Sequence, residues 1–403
     1  MNNQLLHTPE GVRDIYNEEC ERKLVLQEKL HHVLKQYGYQ DIQTPMFEFF
    51  DVFGKERGSV ISKEMYKFFD REGNTLVLRP DITPSIARSA AKYYMDEEMP
   101  LRFCYIGNTF INNSSYQGRM KECTQLGCEL IGDETVDADG EMIAVIIRCL
   151  LASGLTEFQV ELGEADFFRG LIEEADIEEE IEWKLRELIE NKNYFGVEEL
   201  LEGENISKEK IATFLKLQEL FGSVEKLSQA RALTENKLAQ KAIERLEKIY
   251  HILELYGLEK YISFELGMLG RYKYYTGILF KGYTYGTGDM IVTGGRYNNL
   301  LKQFGKDAPS IGFAINLDQL LLALSRQKIK VPIKEDTILV LYELEDRKQG
   351  ILLAEQLRGE EKKVVLLRKH VGNNWEDYLE YAKKNGIHTV YEVKNGKVEE
   401  KNF

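Results

Sequence analysis

The sequence predicts an α+β fold: strands that return on one another carry most of the chain, an all-helical stretch interrupts them, and a small α/β unit follows. Three observations predict it. Strand-like runs occur in pairs around a turn or loop, at 65–79 and again at 102–131. From about 165 to 258 the texture changes to Leu, Glu and Lys at helical spacing, with few β-branched runs. Beyond 336, short strands alternate with helices. A chain of 403 residues is long for one core, and Gln327–Asp336, polar and containing Pro332, reads as a linker. The expected domains are 1–330, with the helical insertion at about 165–258, and 331–403.

Each element has its own signal. Glu18–Gln36 is amphipathic, with Leu24, Leu26, Leu30, Val33 and Leu34 largely on one side, and Gly38 stops it. Gln40–Pro45 leads into an extended segment. The runs 65–69 and 75–79 flank Asp70–Asn74, whose Gly73 and Asn74 suit a hairpin turn. Thr83–Tyr94 is helical, with Thr83 as its cap and Pro84 in its first turn. Strands at 102–110 and 122–131 enclose a long loop, and a helix near 138–152 and a strand at 157–162 follow. Strand character returns at 261–266 and continues through the aromatic-rich stretch 272–285. Ile291–Tyr297 turns into a helix, and Ile311–Ile315 leads to the helix Leu317–Ser325. The last unit reads strand 337–343, helix 347–358, strand 363–368, helix 374–384, strand 388–393.

Composition narrows the function classes. Hydrophobic residues at 43% and charged residues at 30% describe an ordinary globular protein. The five cysteines are odd in number and none forms a Cys-x-x-Cys pair, which favours a reducing cytoplasm over a disulfide framework or zinc site. His31 and His32 are adjacent and point to different sides of their helix, so no metal is expected. The N-terminus has no basic and apolar signal pattern, and Leu320–Leu324 is too short to span a bilayer. A net charge of −14 argues mildly against nucleic acid.

Four fragments carry candidate chemistry. In the strand Glu122–Leu130, Cys123, Gln125, Gly127 and Glu129 share one face. Gln125 and Glu129 then bound an open floor over Gly127: Glu129 can accept from a ring N–H, and Gln125 can meet an α-amino or carboxylate group. The bland alternative is two polar residues on a solvated face. Asp81 and Thr83 end a strand and offer acceptors to an ammonium, or simply begin a helix. Gly270–Gly277 puts tyrosines on both faces of a short segment, either against a flat ring or in the core. Gly294-Gly295 before Arg296-Tyr297 permits a close approach to a ligand.

Taken in order and spacing, these fragments resemble the catalytic core of the histidyl-tRNA synthetases. Thr8-Pro-Glu-Gly-Val-Arg-Asp14 opens the resemblance, which runs to Gln319 around the insertion. Pro45 is similar to the motif 1 proline in the segment those enzymes use to dimerise. Tyr105–Glu129 is similar to motif 2 and Ser310–Gln319 to motif 3, while Tyr274–Gly277 and Gly294–Tyr297 resemble the two histidine-recognition elements. The resemblance implies a class II aminoacyl-tRNA synthetase-like antiparallel sheet flanked by helices. It also implies that Asp81, Thr83 and Gln125 bind the amino end of histidine, and that Glu129, Tyr275 and Tyr297 recognise its imidazole. The unit 331–403 is placed like a shortened anticodon-binding domain. It has no basic bias, with 12 Lys/Arg against 13 Asp/Glu over 336–403.

The departures from that family matter more. Ile111 stands where motif 2 has its arginine, Gln319 where motif 3 has one, and Gly270 where the histidine motif begins with one. Arginine holds phosphate and carboxylate oxygens bidentately, and losing one such donor costs roughly 3 kcal/mol, about two powers of ten in rate. A synthetase-like body that keeps its amino-acid pocket and loses ATP chemistry resembles the regulatory subunits of ATP phosphoribosyltransferase. That resemblance implies a non-catalytic subunit without cofactor or metal. Its expected partners are a short-form catalytic subunit at the first step of histidine biosynthesis, a second copy of itself in a synthetase-like dimer, and histidine as feedback effector, with closure of 270–277 over it. It implies no tRNA and no membrane. The rivals are an active histidyl-tRNA synthetase that substitutes Arg271 and Arg119, and a stand-alone histidine- or tRNA-sensing paralogue.

Overall fold

Leu26, Leu30, Val33 and Leu34 recur at three- and four-residue steps and form the buried stripe of the first helix, α1 (Asn17–Gln36). Gly38, at φ +79°, ends it. The computed structural model describes residues 6–54, 60–113, 120–269, 275–333 and 337–402. It divides into two compact units, Met1–Val331 and Pro332–Phe403.

After α1 come β1 (Gln40–Asp41), β2 (Phe47–Phe49), β3 (Lys67–Phe69) and β4 (Thr75–Leu78). The β3–β4 turn is held by Asp70, whose Oδ1 accepts the Asn74 N–H at 2.7 Å. Helix α2 (Thr83–Tyr93) starts from Ile82, not from Thr83, and no side chain caps it. Strands β5 (Leu101–Phe110) and β6 (Glu122–Ile131) pair along their whole lengths. Thr135 caps α3 (Val136–Ser153) by accepting the Ala138 N–H at 3.2 Å, and β7 (Phe158–Glu164) follows.

The stretch from Ala165 to Tyr256 contains α4 (Ala165–Ala175), α5 (Glu179–Glu190), α6 (Tyr194–Gly203), α7 (Lys208–Lys216), α8 (Glu225–Arg231) and α9 (Lys237–Tyr256). Asn193, Ser207 and Asn236 cap α6, α7 and α9. It is not wholly helical, because β8 (Phe221–Gly222) pairs with β9 (Ile262–Glu265) at the sheet edge. Of the extended stretch expected over 272–285, residues 272–274 lie outside the described residues, and in 275–285 strand β10 spans Ile278–Thr284. Strand β11 (Val292–Arg296) leads to a single 3-10 turn at Leu301–Phe304 rather than an α-helix. Strand β12 (Ser310–Asn316) and α10 (Leu317–Arg326) complete the unit.

Nine of these strands form one sheet in the order β1-β5-β6-β12-β11-β10-β7-β9-β8, with the central pairs antiparallel. One face is apolar: Leu126, Cys128, Leu130, Ile311, Phe313, Ile315, Val160 and Leu162 share a core with α1, α3 and α9. Each fully buried leucine or isoleucine there contributes roughly 1.5–3 kcal/mol. Two arginines fasten this layer internally. Asp139 of α3 takes Nε of Arg296 at 2.9 Å and Nε of Arg245 from α9 at 2.6 Å. The opposite face carries the candidate site. A separate three-stranded sheet, β2-β4-β3, lies in the same unit.

In the second unit, β13 (Thr337–Tyr342), α11 (Arg347–Gly359), β14 (Lys363–Arg368), α12 (Trp375–Lys384) and β15 (Thr389–Lys394) alternate as expected. Strand β16 (Lys397–Asn402) was not foreseen. The turn Asn395-Gly396, with both φ positive, returns it antiparallel onto β15. Leu339 and Leu341 pack on Tyr378 and Ala382 of α12, while Ile338 and Val340 pack on Ala354 and Leu357 of α11. The crossover helices therefore cover opposite faces.

Candidate functional site

Register across the sheet assembles the site. Phe103 of β5, Glu129 of β6, Gly312 of β12, Gly295 of β11 and Leu279 of β10 form one lateral row. Directly paired residues project to the same face, so this row faces away from the helical core. Glu129 lies over Gly312: a β-carbon there would sit 1.6 Å from Glu129 Oε2. Tyr275 lies over Gly295, whose β-carbon would come within 2.8 Å of the tyrosine ring. Two glycines thus make room for a carboxylate and an aromatic ring side by side.

Glu129 is 1% exposed. The Thr83 hydroxyl donates to its Oε1 at 2.7 Å, and the Tyr297 hydroxyl donates to its Oε2. Burial raises Glu129 to about 8, against the pull of those two hydrogen bonds, and nearby Asp81 adds to the rise. Asp81 itself accepts the Thr83 N–H at 3.2 Å. Thr83 is therefore not the helix cap that its sequence position suggested. Its hydroxyl is turned across to β6, 46 residues away in the chain.

Asp81, Thr83, Glu129 and Tyr297 are thereby brought together, with Tyr275 in the neighbouring position of the row. Gln125 is two steps along the same face from Gly127, opposite Gly107 and Asn316. Its Oε1 is buried without a hydrogen-bond partner, an arrangement that suits an incoming ammonium donor. The floor over Gly127 is not open. The Tyr105 hydroxyl occupies it, 2.6 Å from where a β-carbon would be, and donates to the Phe313 carbonyl at 3.5 Å. Burial, with Glu129 and Asp81 nearby, holds Tyr105 and Tyr297 well above the usual phenol range, so both remain neutral donors. Tyr105 escaped the sequence reading, although its pairing with Gly127 follows from matching the two strands. Of the paired glycines, Gly295 makes room for the Tyr275 ring and Gly294 for the Phe280 ring.

The structure gives Ile111 and the Gln319 backbone local partners. Ile111 packs on the small apolar cluster of Val52, Phe53, Val60, Met65 and Val77. The Gln319 N–H is engaged by the Asn316 cap at 3.1 Å. Beside it, Asp318 accepts from Lys23 Nζ and from the Thr124 N–H, both at 2.7 Å. Arg79 is buried and donates to the carbonyls of Thr44 and Asn108. Arg296, in the Gly-Gly-Arg-Tyr run, faces Asp139 and the Asp133 carbonyl. Arg119, Gly270, Arg271 and Tyr274 lie outside the described residues. An open cavity of about 660 Å³ between 95–101 and 305–309 contains none of the candidate side chains. Its Lys306 ammonium is bound to the carbonyls of Tyr94, Met95 and Glu97.

Residues 11–320 match the histidyl-tRNA synthetase family model. An ATP phosphoribosyltransferase regulatory subunit of Acetivibrio thermocellus is 40% identical over 96% of this chain and 92% of its own length. One from Ruminiclostridium cellulolyticum is 39% identical over 99% and 97%. A crystal structure of an ATP phosphoribosyltransferase regulatory subunit/histidyl-tRNA synthetase from Bacillus halodurans is 32% identical. It superposes with a TM-score of 0.85 over 94% of this chain and 96% of that one.

Proposed function

The chain belongs to the family of ATP phosphoribosyltransferase regulatory subunits, a non-catalytic branch built on the histidyl-tRNA synthetase fold, and on that premise we propose that it senses histidine for a catalytic partner. The ligand occupies the face bounded by Asp81, Thr83, Gln125, Glu129, Tyr275 and Tyr297. Glu129 takes an imidazole N–H, Tyr275 flanks the ring, and Asp81 with Gln125 receives the ammonium. One observation carries this reading: a buried carboxylate with two hydroxyl donors shares a glycine-floored face with an unpaired glutamine oxygen, while Ile111 and Gln319 offer no charge to a triphosphate.

The catalytic partner is a short-form ATP phosphoribosyltransferase, acting at the first step of histidine biosynthesis and active only with this subunit. Histidine inhibits by binding one state of the complex more tightly than the other. A second copy of the chain covers the outer face of the β2-β4-β3 sheet. Phe47 and Phe49 are 53% and 56% exposed there, beside Phe68. The C-terminal unit lacks a basic bias, so tRNA is not a partner. Among the described residues no helix is long and apolar enough to cross a membrane, and five free cysteines suit the cytoplasm.

Calorimetric titration of the purified chain with histidine and with ATP, alone and with a short-form phosphoribosyltransferase, tests the proposal. Histidine binds, ATP does not, and Tyr275→Ala removes histidine inhibition while leaving the complex assembled. Histidine-dependent ATP–pyrophosphate exchange by the chain alone would instead establish the synthetase rival.

A further inference from the structure

Behind the sheet, on the face away from Glu129, three side chains with different donor atoms converge from three elements. His31 lies on α1, Asp41 on β1 and Cys104 on β5, and β1 pairs with β5 so that Asp41 is directly beside Cys104. His31 Nε2, an Asp41 carboxylate oxygen and Cys104 Sγ all lie within 4.8 Å of one another. The thiol points at Asp41 Oδ1 from 3.4 Å, and the imidazole meets the same oxygen. Lys35, one turn beyond His31, holds the other oxygen, Oδ2, at 2.9 Å.

We propose that His31, Asp41 and Cys104 form a site for a borderline-soft divalent cation, zinc above all, clamping α1 to the β1–β5 edge. The donor set is nitrogen, oxygen and sulfur, the ligands zinc prefers, whereas magnesium and calcium take oxygen. Tetrahedral zinc with bonds of about 2.0–2.3 Å sets its ligand atoms roughly 3.3–3.7 Å apart. The Cys104–Asp41 separation of 3.4 Å already matches. His31, whose side chain is about a third exposed, must draw back from the carboxylate to reach that spacing. Asp41 is on the surface, which gives the ion a route in and leaves the fourth position to water. Lys35 would hold the carboxylate as an outer-shell partner. Binding replaces the Cys104 S–H bond with a sulfur–zinc bond and releases that proton to solvent. The histidines and cysteines gave no such signal in the sequence, because Asp41 and Cys104 are 63 residues apart.

The full chain is stripped with chelator, incubated with excess zinc and gel-filtered, and retained metal is measured by plasma mass spectrometry. Cobalt(II) is then used as a spectroscopic probe. The expected result is roughly one zinc per chain and a thiolate-to-cobalt charge-transfer band, both lost in Cys104→Ser and in His31→Gln. The partly exposed His31 variant keeps the test decisive if the buried Cys104 variant fails to fold. Retention below about a tenth of an equivalent by the parent chain, or uptake unchanged in His31→Gln, overturns the proposal and leaves a hydrogen-bonded trio.

Discussion

Replacing Glu129 with glutamine separates the pocket's chemistry from its cost. The carboxyl rises from 4.5 to about 8 on burial, which corresponds to on the order of 5 kcal/mol for holding the charge in place. Over that interval the folded chain keeps a proton that the unfolded chain has released. Stability from this group is therefore greatest below about pH 4.5 and falls as pH rises through about 8. Glu129→Gln should flatten that slope, leaving the parallel contribution of Glu164, which burial also raises to about 8.

Histidine binding should follow a different pH profile. Between about pH 6.5, where free imidazole loses its proton, and about 8, where Glu129 loses its own, the bound pair shares one proton without net exchange. Affinity should be flat there and fall up to about tenfold per pH unit on either side. Glutamine forfeits a charge-assisted hydrogen bond of about 1.5–3 kcal/mol, so the plateau Kd rises roughly tenfold to a hundredfold and the limb near pH 8 disappears. Titration calorimetry from pH 5.5 to 9, with urea unfolding at pH 6 and 9, measures both. An unchanged Kd, or a variant that keeps its limb near pH 8, would refute the assignment of Glu129 to the imidazole.

Gly312→Ala places a methyl 1.6 Å from Glu129 Oε2. Histidine binding should fall below detection in the same calorimetric assay, with a loss of roughly 1–3 kcal/mol in urea unfolding. Ile111→Arg returns a guanidinium to the start of the motif 2 loop but must leave the Val52–Phe53 cluster. No ATP–pyrophosphate exchange should appear, since Gln319 still offers no charge and donors within one site act together. Asp139→Asn leaves the buried Arg296 without its carboxylate. Stability measured by urea should fall by roughly 3–5 kcal/mol, and the loss should include the anchoring of α9 through Arg245.

The period-two reading of β6 placed Gln125, Gly127 and Glu129 on one face, and the structure agrees. The same reading misjudged what stands above that face. Thr83 looked like a cap because Thr-Pro-Ser is a common way to begin a helix, yet its hydroxyl serves Glu129. Tyr105 was passed over because nothing in its own strand shows that a glycine faces it.

The chain alone settles what depends on near neighbours. Helical stripes, strand alternation and the β3–β4 turn follow from spacing and local hydrogen bonding. That residues 111 and 319 are isoleucine and glutamine, where the resemblance expects arginine, is also plain from the sequence. Tertiary structure decides which distant groups share one low-dielectric volume. Glu129 is an ordinary glutamate in sequence and a largely protonated one in the fold, because β5, β12 and α2 exclude water from it. The same holds for His31, Asp41 and Cys104, whose meeting exists only once α1 has docked behind the sheet. Desolvation and convergence are properties of packing, and no run of neighbouring residues encodes them.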